Sequence, residues 1–319
     1  MKILLIGGTR LLGLSLLSKI AINHNYEITV LSRRKVDKFS NVHFITGEKE
    51  DNIHKISNKY YDIVLDFISY NPNDIENNIE SLNFGKYYFI SSIWLAKISS
   101  YENLDKIIHK IDDGRLSVLP ETTQRYLLGK IAIENYIYER NKTENKFNII
   151  RLPIFWGAND HTGRAQYYVE RVIDDHDILV IDDGRNKVQI AWVEDLAEII
   201  RLFVEKGGDS HLVWEAIPHL PIKIIDIYHS IENTFDKTKR FISRDLQYFN
   251  VFFPDYLEFE PLWREKEYKP TKHNLFSIFD IQPTPYSEWI ARVSNEIVVN
   301  NKIQPTDIRQ REIKRIQKL

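Results

Sequence analysis

Six short runs rich in Ile, Val, Leu and Phe punctuate the first half of the chain: KILLI (2–6), EITVLS (27–32), VHFIT (42–46), DIVLDFI (62–68), KYYFISS (86–92) and FNIIRL (147–152). Between them, residues 11–22, 74–82 and 126–139 carry apolar side chains at mixed spacings of three and four, so each can lay one helical face on a sheet. Near-continuous apolar strands joined by helical crossovers are how parallel strands buried on both faces read. The alternation predicts an α/β chain with a doubly wound parallel sheet and right-handed connections.

The strict alternation ends near residue 155, where the chain turns rich in Trp, Tyr and Pro, with VFFPDYLEFEPLW (251–263) as the extreme. A smaller, less regular lobe is expected there. VQIAWVEDLAEIIRLFVE (188–205) reads as strand, short turn and helix, a return of the chain to the first lobe. The expected division is 1–155 with about 188–215 in the first lobe, and 156–187 with 216–319 in a partly discontinuous C-terminal one. The tail DIRQREIKRIQKL (307–319) has five basic and two acidic residues, with Ile308, Ile313 and Ile316 in a loose stripe, and reads as a solvated terminal helix.

Composition narrows the function. Lys plus Arg number 43 against 45 Asp plus Glu, a net charge of −2, so no global field draws nucleic acid or an anionic membrane. Cysteine is absent, which removes disulfides and thiolate chemistry, and the ten histidines show no metal-binding spacing, so no metal site is expected. KILLI is too short for a signal-peptide core, and no run reaches the ~18 uninterrupted apolar residues of a membrane span. A soluble, cytoplasmic chain is the expectation.

The first strand runs directly into GGTRLLG, where Gly7, Gly8 and Gly13 precede a helical stretch. Such a turn lets the backbone approach a pyrophosphate and aims helix N-terminal amides at its charge; a turn made only for packing is the bland alternative. EITVLS ends in Ser32-Arg33-Arg34, where an NAD site more often places an acidic residue against the ribose 2′-hydroxyl. Arginine there suits a 2′-phosphate, which puts NADP ahead of NAD, unless Arg33 and Arg34 only solvate a loop.

Tyr126 and Lys130, in YLLGK, stand at i and i+4 on one helix face, close enough for the ammonium to stabilise tyrosinate. A phenol pKa brought down from ~10 makes a general acid/base for interconverting hydroxyl and carbonyl. Ser91-Ser92 closes KYYFISS at its carboxyl end, where ligands of open parallel sheets bind.

Together these residues resemble the extended short-chain dehydrogenases/reductases, the NAD(P)-dependent epimerase/dehydratase group. The resemblance runs through GGTRLLG, VLDFISYNP, FISSIWLA, YLLGKIAIE with Tyr126, Lys130 and Glu134, IIRLPIFWG (149–157) and AWVEDLAEII, in the family's order. It implies a Rossmann enzyme in which Ser92 orients the substrate oxygen and Tyr126 moves the proton. Lys130 would lower the phenol's pKa and hold the nicotinamide ribose. The resemblance further implies pyrophosphate contacts from Gly7, Thr9, Arg10, Leu11, Leu12 and Gly13, and adenine-end contacts from Glu48 and Lys49. Phe67, Ile68 and Ser69 would meet the cofactor's middle, with Ser91 nearby, and Pro153 and Phe155 would flank the nicotinamide. For Phe67 and Phe155, plain core packing is an equal alternative.

Departures from the family's pattern refine the expectation. Ile93-Trp94 follow Ser92 where the family's 4,6-dehydratases place Asp-Glu, and neither side chain can move a proton, which disfavours dehydration. Ile154 and Gln189 stand where many sugar-nucleotide epimerases have Asn and Arg, which loosens the tie to a standard UDP- or GDP-sugar. GGTR with VEDLA also resembles a branch that includes the chloroplast stem-loop RNA-binding proteins, so RNA binding or nucleotide sensing without catalysis is the alternative. Ser92, Tyr126 and Lys130, all present, favour chemistry: hydride transfer between NADP(H) or NAD(H) and a secondary alcohol or ketone of a sugar nucleotide or related polar metabolite. A homodimer is one assembly that the resemblance allows.

Overall fold

The computed structural model describes residues 1–97, 116–117, 119–157, 160–208, 211–218, 221–253, 270–300 and 305–319; most of the aromatic stretch 251–263 lies outside them. The chain divides into two compact units. One comprises Met1–Pro153, Leu196–Ile217 and Pro270–Ile281, and the other Ile154–Asp195, Pro218–Lys269 and Gln282–Leu319.

In the first unit the six expected runs form β1 (Lys2–Ile6), β2 (Glu27–Ser32), β3 (Val42–Thr46), β4 (Tyr60–Asp66), β5 (Asn83–Ser92) and β6 (Phe147–Leu152). A seventh strand, Val213–Glu215, adds to the outer edge of β6, and the order across the sheet is Val213–Glu215, β6, β5, β4, β1, β2, β3. Every neighbouring pair is parallel. The seventh strand has no counterpart in the sequence reading because three residues, VWE, are too few to carry a period.

Side chains alternate across a strand, so each strand feeds two cores. Leu4, Ile6, Val64, Tyr87 and Phe89 pack with Ile75 and Ile79 of the Pro72–Ser81 helix and with Ile133 and Ile137 of the Glu121–Glu144 helix. Tyr88, pointing the other way, meets Phe203 of the Val193–Lys206 helix edge-on at 5.3 Å. Helices on both faces complete a doubly wound Rossmann sheet. The order reverses between β1 and β4, the point at which the carboxyl ends of such strands leave a crevice for a ligand.

The second unit is built from short strand pairs and helices. Ile154–Trp156 runs parallel to Ile190–Trp192, Ile178–Ile181 parallel to Phe241–Arg244, and Lys187–Val188 antiparallel to Ile222–Lys223. Trp156, Tyr168, Tyr228 and Trp289 anchor its core. The tail does form a helix, Asp307–Ile316, but not a solvated one: Arg309 and Glu312 are fully buried. Arg309 donates to both Asp174 oxygens at 2.6 and 2.7 Å, and Glu312 lies 2.9 Å from Arg171. Charges that read as a solvated face find mates more than a hundred residues upstream, which local pattern cannot reveal. Among the described residues no helix is long and apolar enough to cross a membrane.

Candidate active site

The glycine turn leaves β1 with Gly7 at φ +87° and Gly8 at φ +84°, a left-handed backbone that L side chains rarely adopt. A Cβ on Gly7 would meet Ile68 at 2.6 Å, and one on Gly13 would lie 2.1 Å from the Gly8 Cα. The third glycine therefore lets helix α1 (Leu11–Ile20) start directly against the turn. Arg10 is its N-cap residue, extended at φ −132°, with no side-chain cap and no acidic residue in the first turn. The first amides and the positive end of the helix dipole are thus left for an anion. Arg10 is exposed, Thr9 half-buried, Leu11 and Leu12 buried. Leu11 itself holds φ +29°, unusual for a residue with a Cβ.

Three neighbouring segments converge here. At the end of β2, the Ser32 hydroxyl donates to the Arg34 carbonyl at 2.5 Å, closing a turn from which Arg33 and Arg34 project exposed. After β4, Phe67 N donates to Ile6 O at 3.0 Å, and the Phe67 and Ile68 side chains lie against Gly7. Glu48 is exposed, whereas Lys49 is buried with its ammonium 3.3 Å from Asp74. Lys49 ties the segment after β3 to the Pro72–Ser81 helix, whose capping box is made by Asn71 and Asp74.

The Glu121–Glu144 helix carries Tyr126, Lys130 and Glu134 at successive i, i+4 positions, one face of one helix. Gly129 sets how closely that face approaches the sheet, since a Cβ there would lie 1.9 Å from the Tyr70 carbonyl oxygen. Lys130 can in consequence reach across the sheet end: its ammonium donates to Ser69 O at 3.0 Å and to Ile90 O at 2.8 Å. Its side chain is buried, and the Phe89, Tyr70 and Tyr126 rings stand 4.4, 5.0 and 5.9 Å from the nitrogen. Burial pulls the Lys130 pKa down to about 8, against the charges of Asp66, Glu134 and Asp74, which hold it up.

Ser91 and Ser92 diverge. Ser91 is buried and donates to Glu134 at 2.5 Å, and Glu134 forms a buried ion pair with Arg151 of β6 at 2.5 Å. Ser92 is half-buried, its hydroxyl accepting from Trp94 N at 3.1 Å. Tyr126 is half-buried, its ring 6.2 Å from that of Tyr70. Pro153 closes the first unit, buried, and Phe155 belongs to the second, half-buried in the strand Ile154–Trp156 beside Ala191.

A sequence model of the NAD dependent epimerase/dehydratase family matches residues 3–214. The chain belongs to this family. No curated protein sequence matches it. Solved structures share its fold at low identity. UDP-glucuronic acid 4-epimerase from Bacillus cereus, in complex with UDP-glucuronic acid and NAD, is 13% identical with a TM-score of 0.70, over 94% of this chain and 100% of that one. The NAD complex of dTDP-glucose 4,6-dehydratase from Bacillus anthracis is 14% identical with a TM-score of 0.67, over 94% and 97%. UDP-glucose 4-epimerase from Thermotoga maritima, with UDP-glucose, is 15% identical with a TM-score of 0.65, over 94% and 99%.

Sequence reasoning passed over three residues of this family member's site region. Gly129 and Tyr70 are legible only once helix and loop are docked. Asp66 left a faint signal, a carboxylate directly after the apolar Ile63-Val64-Leu65.

Proposed function

We propose that the chain is an NAD(P)-dependent oxidoreductase or epimerase acting on a secondary alcohol or ketone of a sugar nucleotide or related polar metabolite. The observation that carries this is Lys130: a fully buried ammonium on two backbone carbonyls, one helical turn from Tyr126. Burying a lysine is unfavourable, and packing alone gives no reason for it. The glycine turn fits a dinucleotide, because Gly7 and Gly8 hold a left-handed backbone and the bare Gly13 lets the helix start directly against the turn, which aims its uncapped first amides at a pyrophosphate. Gly7, Thr9, Arg10, Leu11, Leu12 and Gly13 would hold that pyrophosphate, Glu48 and Lys49 would lie toward the adenine, and Phe67, Ile68, Ser69 and Ser91 along the middle. Pro153 and Phe155 would flank the nicotinamide.

The bound nicotinamide supplies hydride acceptance and donation at the substrate carbon. Ser92 orients the substrate oxygen. Tyr126 takes the hydroxyl proton onto its phenolate as alcohol becomes carbonyl, and returns it in the reverse direction. Lys130, cationic at neutral pH, favours the phenolate and offers its remaining donor capacity to the ribose. Ile93 and Trp94 leave no acid or base directly after Ser92, which supports redox or epimerase chemistry over 4,6-dehydration. NADP is the preferred cofactor: Arg10 and Arg33 both act on the Tyr70 phenol, so the two guanidiniums stand within electrostatic reach of one point. The proposed setting is cytoplasmic, and a homodimer is the proposed assembly.

The test pairs binding with turnover. Purified protein is expected to bind NADPH, and Tyr126→Phe to keep that binding while losing cofactor-dependent conversion across a panel of UDP-, GDP- and dTDP-sugars. A fully active Tyr126→Phe, or wild type that binds neither NAD(H) nor NADP(H), overturns the reading.

A further inference from the structure

Asp66, the last residue of β4, is fully buried and takes no part in the chemistry above. Its carboxylate accepts five hydrogen bonds: from Ile68 N and Ser69 N at 3.0 Å each, the Ser69 hydroxyl at 2.5 Å, the Asn78 amide at 3.1 Å and the Tyr87 hydroxyl at 2.5 Å. All five donors are neutral. Tyr87 remains a donor because burial first, and then the charge of Asp66, push its phenol well above its ordinary value.

The donors do two things for Lys130. Three of them belong to the Ile68–Ser69 turn, so the carboxylate fixes the very segment whose Ser69 carbonyl accepts from the ammonium. The second effect is electrostatic. Lys130 is faced by Ser69 O and Tyr70 from the segment after β4, by Ile90 O and Phe89 from β5, and by Tyr126 from its own helix. The charges acting on it are Asp66, Glu134 and Asp74. Glu134 is already paired with Arg151 at 2.5 Å, and Asp74 with Lys49 at 3.3 Å. Asp66, among the described residues, forms no ion pair, and its charge acts on Lys130 through space.

We propose that Asp66 is the positioning residue and counter-charge of Lys130: it clamps the turn that holds the ammonium and supplies the uncommitted negative charge that keeps it an ammonium. Asp66 reaches no substrate in this scheme. It acts through Lys130, and the inference rests on Lys130 having the role assigned above. The burial of a second charge beneath the sheet end then has a purpose, because an ammonium in that place would otherwise shed its proton near neutrality.

The experiment reads Lys130 directly and needs no cofactor. Protein labelled with [ε-13C]lysine is titrated by NMR, with the Lys130 signal assigned by its loss in Lys130→Met. The wild-type midpoint is expected at about 8. Asp66→Asn should lower it by on the order of one unit, the effect of removing a nearby opposite charge. An Asn at position 66 opposes its own amide to that of Asn78, so Asp66→Asn/Asn78→Ala provides the same measurement should the single variant fail to fold. The exchange Asp66→Asn/Asn78→Asp, which moves the carboxylate within the cluster, should recover at least half of the shift. A folded variant lacking the carboxylate whose Lys130 midpoint is unchanged overturns the proposal. Dinucleotide binding by wild type separates the two levels: failure to bind both NAD(H) and NADP(H) refutes the functional reading, whereas binding of either with an unmoved midpoint refutes only the role of Asp66. Where turnover is measured, Asp66→Asn should move the alkaline limb of the pH profile down by the same amount, a change that a merely structural residue would not cause.

Discussion

Replacing Lys130 by Met removes one ionisable group from the interior, and the structure sets how that must change stability with pH. Burial brings the Lys130 pKa from 10.5 down to about 8. The folded value lies below the unfolded one, so between about pH 8 and 10.5 the unfolded chain holds a proton that the folded chain has released. Stability contributed by this group therefore rises with pH across that window and is flat below it. Each unit is worth about 1.4 kcal/mol, so the full shift amounts to about 3 kcal/mol, and the part between pH 8 and 9.5 to about 2 kcal/mol. Lys130→Met lacks the term altogether. Urea unfolding of wild type and variant at pH 7, 8, 9 and 9.5 isolates it, because every other titrating group is common to both. The stability of wild type relative to Lys130→Met should be constant up to about pH 7.5 and then climb by about 2 kcal/mol by pH 9.5. Parallel profiles would refute the argument that the ammonium is held, charged, in a poorly solvated place.

Gly129→Ala should lower stability by about 1–3 kcal/mol, since the new methyl must push the helix away from the Tyr70 carbonyl. Turnover should fall more than melting temperature suggests, because Tyr126 and Lys130 move with that helix. Arg309→Met should destabilise the second unit by about 1–3 kcal/mol in denaturant melts, as it removes both hydrogen bonds to Asp174 and leaves the buried Glu312 to Arg171 alone. Arg10→Gly combined with Arg33→Asp should weaken NADPH relative to NADH by about tenfold or more, about 1.4 kcal/mol, in fluorescence titration; an unaltered preference would show that neither arginine faces a 2′-phosphate.

The sheet was legible because its signal is local. A parallel strand buried on both faces must be apolar along its whole length, and each of the six runs from KILLI to FNIIRL announces itself within its own residues. The glycine turn and the Tyr126–Lys130 spacing were legible for the same reason: one turn and one helix contain them. What escaped depends on partners distant in sequence. Arg309 and Glu312 look like surface charges until Asp174 and Arg171 are placed beside them. Gly129 looks like a flaw in a helix until Tyr70 arrives against it. The sequence places Asp66 inside the strand DIVLDFI, whereas it closes that strand, and Asn78 and Tyr87, which turn it into a node, come from a helix and another strand.

The seventh strand carries a consequence for how the molecule is made. Until Val213–Glu215 arrives, β6 is an open sheet edge, and Ile149 N finds its acceptor only in Leu212 O. That strand is in turn held through Glu215 N to His273 O at 3.2 Å and Ile217 N to Asn274 at 3.1 Å. During synthesis the glycine turn after β1 is thus complete well before the sheet can be sealed at its far edge, which waits until about residue 281 is out. Over that interval β6 offers unpaired amides and carbonyls to any passing strand. A fragment ending at Pro153, however complete its glycine turn, would stay in that vulnerable state permanently, and aggregation during synthesis rather than instability of the finished fold is the hazard this architecture carries.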